Sequence, residues 1–301
     1  MTSVASRDAE EKRSAAQASL LAAVGLTAFK VVVGWLTGSL GILAEAAHSG
    51  LDLAASAVTV VAVRLSSEPP DSTHLYGHGK VENLSALAET LLLLATCAWI
   101  AREAVERLLF RETAILVTPW SFAVMLTSIA VDLSRSRGLA RAARKYQSQA
   151  LEADALHFQT DVWSSAVVLA GLAAVKCAGF FPRLAFLRHA DAVAALGVCC
   201  LVAWVSAQLG RRTVDALMDR APEGMEARIA AAVMAIPGVR DCHAIRIRYS
   251  GPVMFIDMHV LVDGRQSLAE AHRLTDTVET AVQQLVPRAD VTVHPEPDDS
   301  A

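Results

Sequence analysis

Two segments decide how this 301-residue chain folds: SLGILAEAAHSGLDLAASAVTVVAV at residues 39–63 and ADALHFQTDVWSSAVVLAGLAAVKCA at residues 153–178. Both are apolar enough to lie inside a membrane, and both contain a histidine four residues before an aspartate. These pairs are His48/Asp52 and His157/Asp161. An ionisable side chain at the centre of a spanning helix costs about 2.5–3.5 kcal/mol, so such residues usually mark a pathway for a substrate, an ion or a proton.

The spacing within each pair favours a shared metal site. Residues four apart lie on one face of a helix, with their Cβ atoms about 5–6 Å apart. Two such helices that face each other offer two imidazoles and two carboxylates, and tetrahedral Zn²⁺ binds histidine nitrogen and aspartate oxygen at about 2.0–2.2 Å. The two pairs therefore predict an intramembrane metal site.

The composition is that of a membrane protein over much of the chain. Hydrophobic residues make up 53% and charged residues 19%, and the mean hydropathy is +0.39. A spanning helix needs roughly 20 apolar residues, and six runs of about that length predict six spans: 15–36, 39–63, 84–105, 114–132, 153–178 and 190–209. Residues 1–14 are polar and resemble no cleaved signal peptide, so we expect a cytoplasmic tail there and a six-helix transmembrane domain at 15–209.

Basic residues next to the predicted spans indicate the orientation of the chain. Twelve lie on one side and six on the other, and cytoplasmic loops carry an excess of lysine and arginine. We therefore expect a multi-pass protein of the inner, cytoplasmic membrane with both termini in the cytoplasm. The twelve are Arg7, Lys12, Arg13, Arg64, Lys80, Arg135, Arg137, Arg141, Arg144, Lys145, Arg211 and Arg212, and the six are Arg102, Arg107, Arg111, Lys176, Arg183 and Arg188.

Charge and cysteine content exclude several classes of partner and site. The net charge of −4 gives no reason to expect a nucleic acid as partner. The five cysteines form no C-x-x-C pair, so neither a disulfide framework nor a thiolate zinc site is predicted. We interpret them as small buried hydrophobic residues: Cys97, Cys177, Cys199, Cys200 and Cys242.

After the sixth predicted span the composition changes to that of a small soluble domain, at residues 210–296, with a tail at 297–301. The patterns predict a helix, two strands, a second helix and a third strand, which pack as an α+β domain. Their bounds are Met225–Ile236, Val239–Arg248, Val253–Val262, Leu268–Leu285 and Asp290–His294. Ser267 and Glu270 have the spacing of a capping box at the start of the second helix.

Two further groups of histidines lie outside the predicted spans. His74 and His78 follow Asp71 in the short connection between spans two and three, where glycines let the backbone turn around a metal. The soluble domain contains four histidines and a nearby glutamate, which only folding could bring together: His243, His259, His272, His294 and Glu296. Only His189 belongs to no group.

The combined motifs resemble the cation diffusion facilitators, most closely their bacterial zinc/iron branch. The resemblance extends from the Thr37-Gly38-Ser39 turn to the C-terminal histidines, and its most specific parts are the two intramembrane pairs and the His74-Leu-Tyr-Gly-His78-Gly-Lys80 segment. It implies a homodimer of six-helix protomers that exchange cytoplasmic divalent metal for protons by alternating access. It also implies a ferredoxin-like cytoplasmic domain that binds metal at the dimer interface.

Position by position, the resemblance implies three metal sites. We expect Zn²⁺ to be both the transported substrate and a structural or regulatory ion of the cytoplasmic domain. Lys80 and Asp219 resemble a charge interlock that holds the dimer together. The transport site comprises His48, Asp52, His157 and Asp161, the loop site Asp71, His74 and His78, and the cytoplasmic site His243, His259, His272, His294 and Glu296.

This chain departs from the zinc/iron branch at two positions, because His48 and Glu296 stand where that branch has aspartate. A site with one charge less and one nitrogen more favours Zn²⁺ over harder ions such as Mn²⁺. Export of Fe²⁺, Cd²⁺ or Co²⁺ by the same fold stays an alternative. A metal sensor that does not transport is a weaker alternative, since all four ligands are present. An intramembrane metalloenzyme is also a weaker alternative, since no H-E-x-x-H helix or nucleophile pattern stands beside the ligands.

Five other charged residues in or near the spans have weaker functional interpretations. Asp154 and Glu45 lie about one helical turn before the paired histidines, so each is a candidate entry or outer-shell carboxylate. Lys30, Glu89 and Asp132 could line the ion cavity, but snorkelling or mutual pairing explains them equally well. We leave these three outside the predicted site.

Overall fold

The computed structural model describes residues 2–38, 40–110, 119–180 and 190–298 and divides into two compact units. The first comprises Met1–Ser67 and Leu84–Thr213, and the second Glu68–Asn83 and Val214–Ala301. Five positions with predictions lie outside the described residues: Ser39, Arg111, Arg183, Arg188 and His189. The side chain of Cys177 is not described either. The same is true of most of the predicted tail, beyond Asp298.

Long helices build the first unit. They are α1 Thr2–Thr37, α2 Leu40–Ser66, α3 Lys80–Phe110, α4 Pro119–Tyr146, α5 Gln149–Phe180 and α6 Ala190–Leu217. Within the described residues, three stretches are long and apolar enough to cross a membrane: Arg7–Thr37, Glu45–Ser66 and Lys80–Glu106. The predicted class, a helical membrane domain, is confirmed, and three of the six predicted spans meet this criterion of length and composition.

The helices extend beyond the predicted spans. The polar stretch 1–14 is helical from Thr2 onward, because alanine, glutamate, lysine and arginine are strong helix formers. Helix α4 continues to Tyr146 and α5 begins at Gln149. Arg135, one of the basic residues next to the predicted fourth span, therefore lies in a helix and not in a loop. Arg135 lies within α4 and is 6% exposed, while the predicted beginning of that span, 114–118, is outside the described residues.

Small side chains form the core of the helical unit. One buried cluster joins α1, α2, α4 and α5 and consists of four alanines together with Val63, Leu139, Leu151 and Phe158. Small residues let helix backbones approach closely, which is the usual basis of helix packing in membranes. The cluster holds the N-terminal part of α5 against α2 and so determines which polar side chains meet between these helices.

The second unit contains an α+β domain, as predicted. Its elements are α7 Met225–Met234, β1 Asp241–Ser250, β2 Val253–Asp263, α8 Leu268–Leu285 and β3 Ala289–Asp298. The strands form one sheet in the order β1-β2-β3, with β1 antiparallel and β3 parallel to β2. The predicted bounds of α8 and its capping box between Ser267 and Glu270 are confirmed, whereas α7 ends two residues earlier and β3 extends to both sides of the predicted strand.

Strand β2 separates the core of this domain from the surface that holds three of its four histidines. Every second residue from Met254 to Val262 is buried and packs with Ile229 and Val233 of α7 and with two valines of α8. Successive strand side chains point to opposite faces. His259 therefore lies on the face away from the helices, in agreement with the predicted alternation.

Residues 68–83 pack against the β1–β2 hairpin inside the second unit. The N–H of Gly251 donates to Asn83 Oδ1 at 3.3 Å, and the Tyr76 ring contacts Phe255 edge-on at 5.2 Å. A Cβ atom on Gly79 would lie 2.3 Å from the carbonyl oxygen of Ser250, so only glycine fits there. This glycine sets how closely the segment approaches the hairpin.

Candidate metal centres

Among the described residues, three groups of histidine and acidic side chains are compact enough to hold a metal ion. In each group, one candidate ligand atom per residue lies within 4.8 Å of the others. The groups are Asp52/His157/Asp161, called the intramembrane group below, Asp71/His74/His78, called the loop group, and His243/His259/Glu296, called the cytoplasmic group. Each contains only residues that the sequence singles out as candidate ligands.

Packing of α2 against α5 forms the intramembrane group. His157 Nε2 lies 3.1 Å from Asp52 Oδ1 and 3.7 Å from Asp161 Oδ2. Ligand atoms that share a tetrahedral Zn²⁺ lie about 3.4 Å apart, so both distances fit one ion between the helices. The His157 side chain is 7% exposed and both carboxylates are largely buried, so few water molecules compete for these atoms.

His48 lies at the edge of the intramembrane group. Its Nε2 atom is 4.0 Å from Asp52 Oδ1, and its side chain is 42% exposed against 12% for Asp52. The structure therefore brings three of the four predicted ligands together and leaves the fourth one turn away on α2. Only a small movement of the imidazole separates it from a ligand position.

A tight turn in residues 68–83 builds the loop group. Asp71 Oδ1 accepts hydrogen bonds from the backbone N–H groups of His74 at 2.6 Å and Thr73 at 2.8 Å. The two imidazole rings lie 4.4 Å apart, and Gly77 has the positive φ of +74° that lets the backbone turn between them. Asp71 Oδ2 lies 3.4 Å from His78 Nε2.

These hydrogen bonds also determine the charge of the loop group. The pKa of the Asp71 carboxyl is lowered far below its ordinary value, first by the His74 N–H donor and then by that of Thr73. A carboxylate that stays ionised is ready to bind a cation. His78 Nδ1 is buried without a hydrogen-bond partner among the described residues, whereas its Nε2 atom faces Asp71.

Strand register forms the cytoplasmic group. His243 of β1 pairs with His259 of β2, and His259 pairs with His294 of β3, so three imidazoles stand side by side across the sheet. Glu296 follows His294 by two residues and therefore points to the same face. Alternation along single strands cannot predict this row, because it depends on how the three strands align.

Glu296 is the centre of the cytoplasmic group. Its Oε1 atom lies 2.7 Å from His259 Nδ1, and its Oε2 atom lies 3.2 Å from His243 Nε2. The pKa of Glu296 is lowered, mainly by the hydrogen bond with His259 and then by the nearby imidazoles, against a smaller opposing effect of burial. Two imidazoles and one ionised carboxylate leave one position of a tetrahedral zinc open.

Two predicted ligands of the cytoplasmic domain lie apart from the compact group. His294 Nε2 is 4.0 Å from Glu296 Oε1, and its side chain is 64% exposed. His272 lies on α8, where its Nε2 atom is 4.0 Å from Asp276, and its side chain is 74% exposed. Within one protomer the structure therefore brings His294 to the margin of the group and does not bring His272 to it.

Sequence reasoning missed a buried polar network centred on Arg135. Its guanidinium donates to Asp132 at 3.1 Å, to Ser56 at 3.0 Å and to Ser19 at 3.1 Å, and it lies 3.4 Å from the centre of the Phe158 ring. Arg135 thus joins α1, α2, α4 and α5 directly beside His157. The spacing of three between Asp132 and Arg135, at the end of the apolar part of α4, is the sequence signal that predicts such a pair.

Two further ion pairs concern residues that the sequence singles out. Lys30 donates to Ser49 at 2.7 Å and to Glu45 at 3.2 Å, so both charged residues have partners. Lys80 Nζ donates to Asp219 Oδ1 at 2.8 Å within one chain. The predicted pair of Lys80 and Asp219 is therefore formed, while its role in a dimer stays a prediction.

Comparison with known proteins gives matches over nearly the whole chain. The family profile "Cation efflux transmembrane domain" matches residues 16–218, and "Cation efflux protein, cytoplasmic domain" matches residues 221–298. The cation-efflux pump FieF of Yersinia enterocolitica is 35% identical over 291 residues, which cover 95% of this chain and 92% of the relative. FieF of Cronobacter sakazakii is 34% identical over 290 residues, which cover 94% and 92%.

Solved structures give a more limited match, confined to one part of the chain. A structure of MamM-CTD is 31% identical and covers 25% of this chain and 98% of that one, with a TM-score of 0.24. The full-length relatives and the two family profiles are therefore the comparisons that bear on the chain as a whole.

Proposed function

This chain belongs to the cation efflux family, the cation diffusion facilitators, and from that premise we propose that it exports Zn²⁺ from the cytoplasm in exchange for protons. The observation that carries the proposal is the intramembrane group. Asp52, His157 and Asp161 come from two packed helices, lie within 4.8 Å of one another and are mostly shielded from water. An apolar contact would serve any structural purpose better than such a group does.

The donor atoms of this group support zinc as the substrate. Imidazole nitrogen suits Zn²⁺, whereas sites built only of oxygen atoms suit Mg²⁺, Ca²⁺ and Mn²⁺. With His48 as a fourth ligand, two nitrogens and two carboxylates would complete a tetrahedral shell. His48 lies 4.0 Å from Asp52 at present, so we infer that it moves inward when the ion arrives.

The same ligands support the exchange for protons. A metal ion binds neutral imidazole and ionised carboxylate, so its arrival displaces any proton that these groups hold. We infer an alternating-access cycle: the outward-facing site takes up protons and releases the metal, and the inward-facing site loses protons and captures it. One set of side chains then carries both ions in opposite directions.

We further propose that the protein works as a homodimer in the inner membrane, with both termini in the cytoplasm. Exposed His294 and His272 support a metal site completed by a second copy, since both side chains have room for a ligand from outside the protomer. The loop group and the cytoplasmic group would then bind ions that stabilise or regulate the dimer. Neither group has the shielding that marks the intramembrane group.

Metal flux in proteoliposomes tests the proposed function. The purified full chain would be reconstituted, and uptake of Zn²⁺, Cd²⁺, Fe²⁺, Co²⁺ and Mn²⁺ measured with an imposed pH gradient of either sign. We expect Zn²⁺ flux that reverses with the gradient and is accompanied by proton flux. Metal binding without flux would instead support a sensor, and preference for another ion would replace zinc as the substrate.

A further inference from the structure

Four buried side-chain oxygen atoms in the helical unit lack a hydrogen-bond partner among the described residues. They are Ser85 Oγ and Glu89 Oε2 on α3, Asp154 Oδ1 on α5 and Ser206 Oγ on α6. Leaving a buried polar atom unpaired costs about 1–3 kcal/mol, and more when the group is charged. A native protein therefore satisfies such atoms with water, an ion or a proton.

Helix packing brings these four atoms into one region. A buried cluster marks where α3, α5 and α6 meet, and it consists of Ala86, Ala153 and Leu209. Ser85 and Asp154 are direct neighbours of cluster residues in the chain, and Glu89 and Ser206 lie three residues away. One helical turn is about 5.4 Å, so each unpartnered atom lies within about a turn of the cluster.

The two carboxyl groups occupy similar surroundings. Glu89 is 4% exposed and accepts a hydrogen bond from Thr59 through Oε1, and Asp154 is 1% exposed and accepts one from Ser56. Each group thus has one satisfied oxygen and one that is not. The negative charges of Glu89 and Asp154 repel each other, which makes it costly for both to be ionised at once.

A proton resolves both problems. An ionised carboxyl group only accepts hydrogen bonds, but a protonated one also donates. With one proton, a free carboxyl oxygen that has no donor facing it becomes a hydrogen-bond donor itself. Carboxyl groups that share a proton in this way release and regain it as a pair.

We propose that Glu89 and Asp154 form a proton-binding carboxyl pair, separate from the metal ligands, that carries part of the proton counter-flow. The proposal rests on the proposed function, since it assumes that protons are the exchanged ion. When a dication fills the intramembrane group, its positive charge stabilises the ionised pair relative to the protonated one, so the O–H bond breaks and the proton passes to water. When the metal leaves, the pair takes up a proton again.

Several charged groups act on this pair from the helices around it. Arg135 from α4 donates to Ser56, which in turn bonds Asp154, and brings a positive charge close to the pair. Asp52 from α2 is a further negative charge that acts on Asp154. His157 lies three residues after Asp154 on the same face of α5, and its Nδ1 atom is buried and unpartnered as well. The charge of an ion in the intramembrane group therefore acts on the carboxyl pair.

Infrared difference spectroscopy on the full chain in lipid nanodiscs tests the pair directly. A protonated carboxyl group gives a C=O stretch that is separate from the amide bands and shifts in D₂O. We expect this band in the metal-free wild type at neutral pH, its loss on adding Zn²⁺, and its absence from both Glu89→Gln and Asp154→Asn. Glu106→Gln is the matched control, since Glu106 lies on the same helix and is paired with Arg102 at 2.9 Å.

Flux measurements connect the band to transport. In proteoliposomes, Glu89→Gln should keep Zn²⁺ flux while the number of protons moved per zinc ion falls by about one, since a glutamine cannot carry the proton. If the wild type showed no such band, or if the proton-to-zinc ratio stayed unchanged in both variants, the proposal would be wrong although the protein is a zinc exporter. Absence of zinc flux in the wild type would instead overturn the proposed function.

Two further outcomes are decisive even where a variant fails to fold. In the wild type, the band must shift in D₂O and disappear when Zn²⁺ is added. A wild-type band that does not change with Zn²⁺ therefore contradicts the proposal without any variant. A band that disappears with Zn²⁺ also in Asp161→Ala, which lacks an intramembrane ligand, would mean that the pair binds metal itself, and it would overturn the proposed proton role.

Discussion

The intramembrane group and the cytoplasmic group use the same kinds of ligand atom in opposite surroundings. Side chains of Asp52, His157 and Asp161 are between 7% and 20% exposed, whereas those of the cytoplasmic group are between 32% and 44% exposed. In the first group few water molecules can replace a missing ligand, so each ligand is hard to replace. In the second group water competes, and a lost ligand costs less.

The two groups also differ in how the fold positions their ligands. The intramembrane group rests on the contact between α2 and α5, and Arg135 ties both helices to α1 and α4. The cytoplasmic group rests on the register of three strands, with hydrogen bonds along the whole sheet. Helices that slide or tilt change the first group, while the second keeps its geometry. The intramembrane group thus suits a transport site, and the cytoplasmic group suits a stationary site.

Loss of a ligand from the intramembrane group should have the largest effect. We expect Asp161→Ala to lower Zn²⁺ flux more than about 100-fold, because loss even of an outer partner of a metal ligand costs about 10–100-fold. Flux into proteoliposomes measures this. Glu106→Gln, which changes a half-buried, ion-paired carboxylate in α3, should retain wild-type flux. Wild-type flux in Asp161→Ala would remove this residue from the proposed site.

Loss of a ligand from the cytoplasmic group should weaken binding but spare transport. We expect His259→Ala to weaken Zn²⁺ binding at this group by about 10–100-fold, while flux falls less than about tenfold. Titration calorimetry and flux on the same preparation measure both. His272→Ala is the control, since His272 lies outside the compact group within one protomer. Equal losses from both variants would show that a second copy brings His272 into the site.

Local signals in the sequence predicted much of the fold. Helix α8 has the predicted bounds because Ser267 and Glu270 form a capping box that fixes its start. The alternation of β2 predicted which face is buried and where His259 points. These features depend on neighbours within a few residues, so a single sequence shows them.

Features that depend on tertiary contacts could not be predicted in the same way. The burial of Arg135 depends on Ser19 and Ser56, which are 116 and 79 residues away in the chain. The side-by-side row of His243, His259 and His294 depends on strand register and on the bulge after His243, where Ala244 has a positive φ of 52°. The motifs named the candidate ligands, but only packing shows that His48 lies at the edge and His272 apart.

A substitution at the edge of the intramembrane group should change selectivity more than rate. We expect His48→Asp to raise Mn²⁺ flux relative to Zn²⁺ on the order of tenfold, because a carboxylate oxygen favours the harder ion. Competition between the two ions in proteoliposomes measures the ratio. His48→Gln, which removes the nitrogen ligand without adding charge, separates the two causes. An unchanged ratio in both variants would show that His48 stays outside the metal shell, as its 42% exposure permits.

The smallest effect concerns the acidic member of the cytoplasmic group. The hydrogen bond with His259 lowers the pKa of Glu296 below the ordinary glutamate value of 4.5, so its stabilising contribution is present above that value and lost as the pH falls through the lower, folded-state pKa. At pH 7 we expect no change in this stabilising contribution. In His259→Ala, Glu296 should protonate closer to pH 4.5, which carboxyl-labelled NMR of the full chain measures. The same titration in Asp132→Asn should match the wild type, because Asp132 belongs to the helical unit. If the titration curve of His259→Ala also matched that of the wild type, the hydrogen bond between His259 and Glu296 would not keep Glu296 ionised for metal binding.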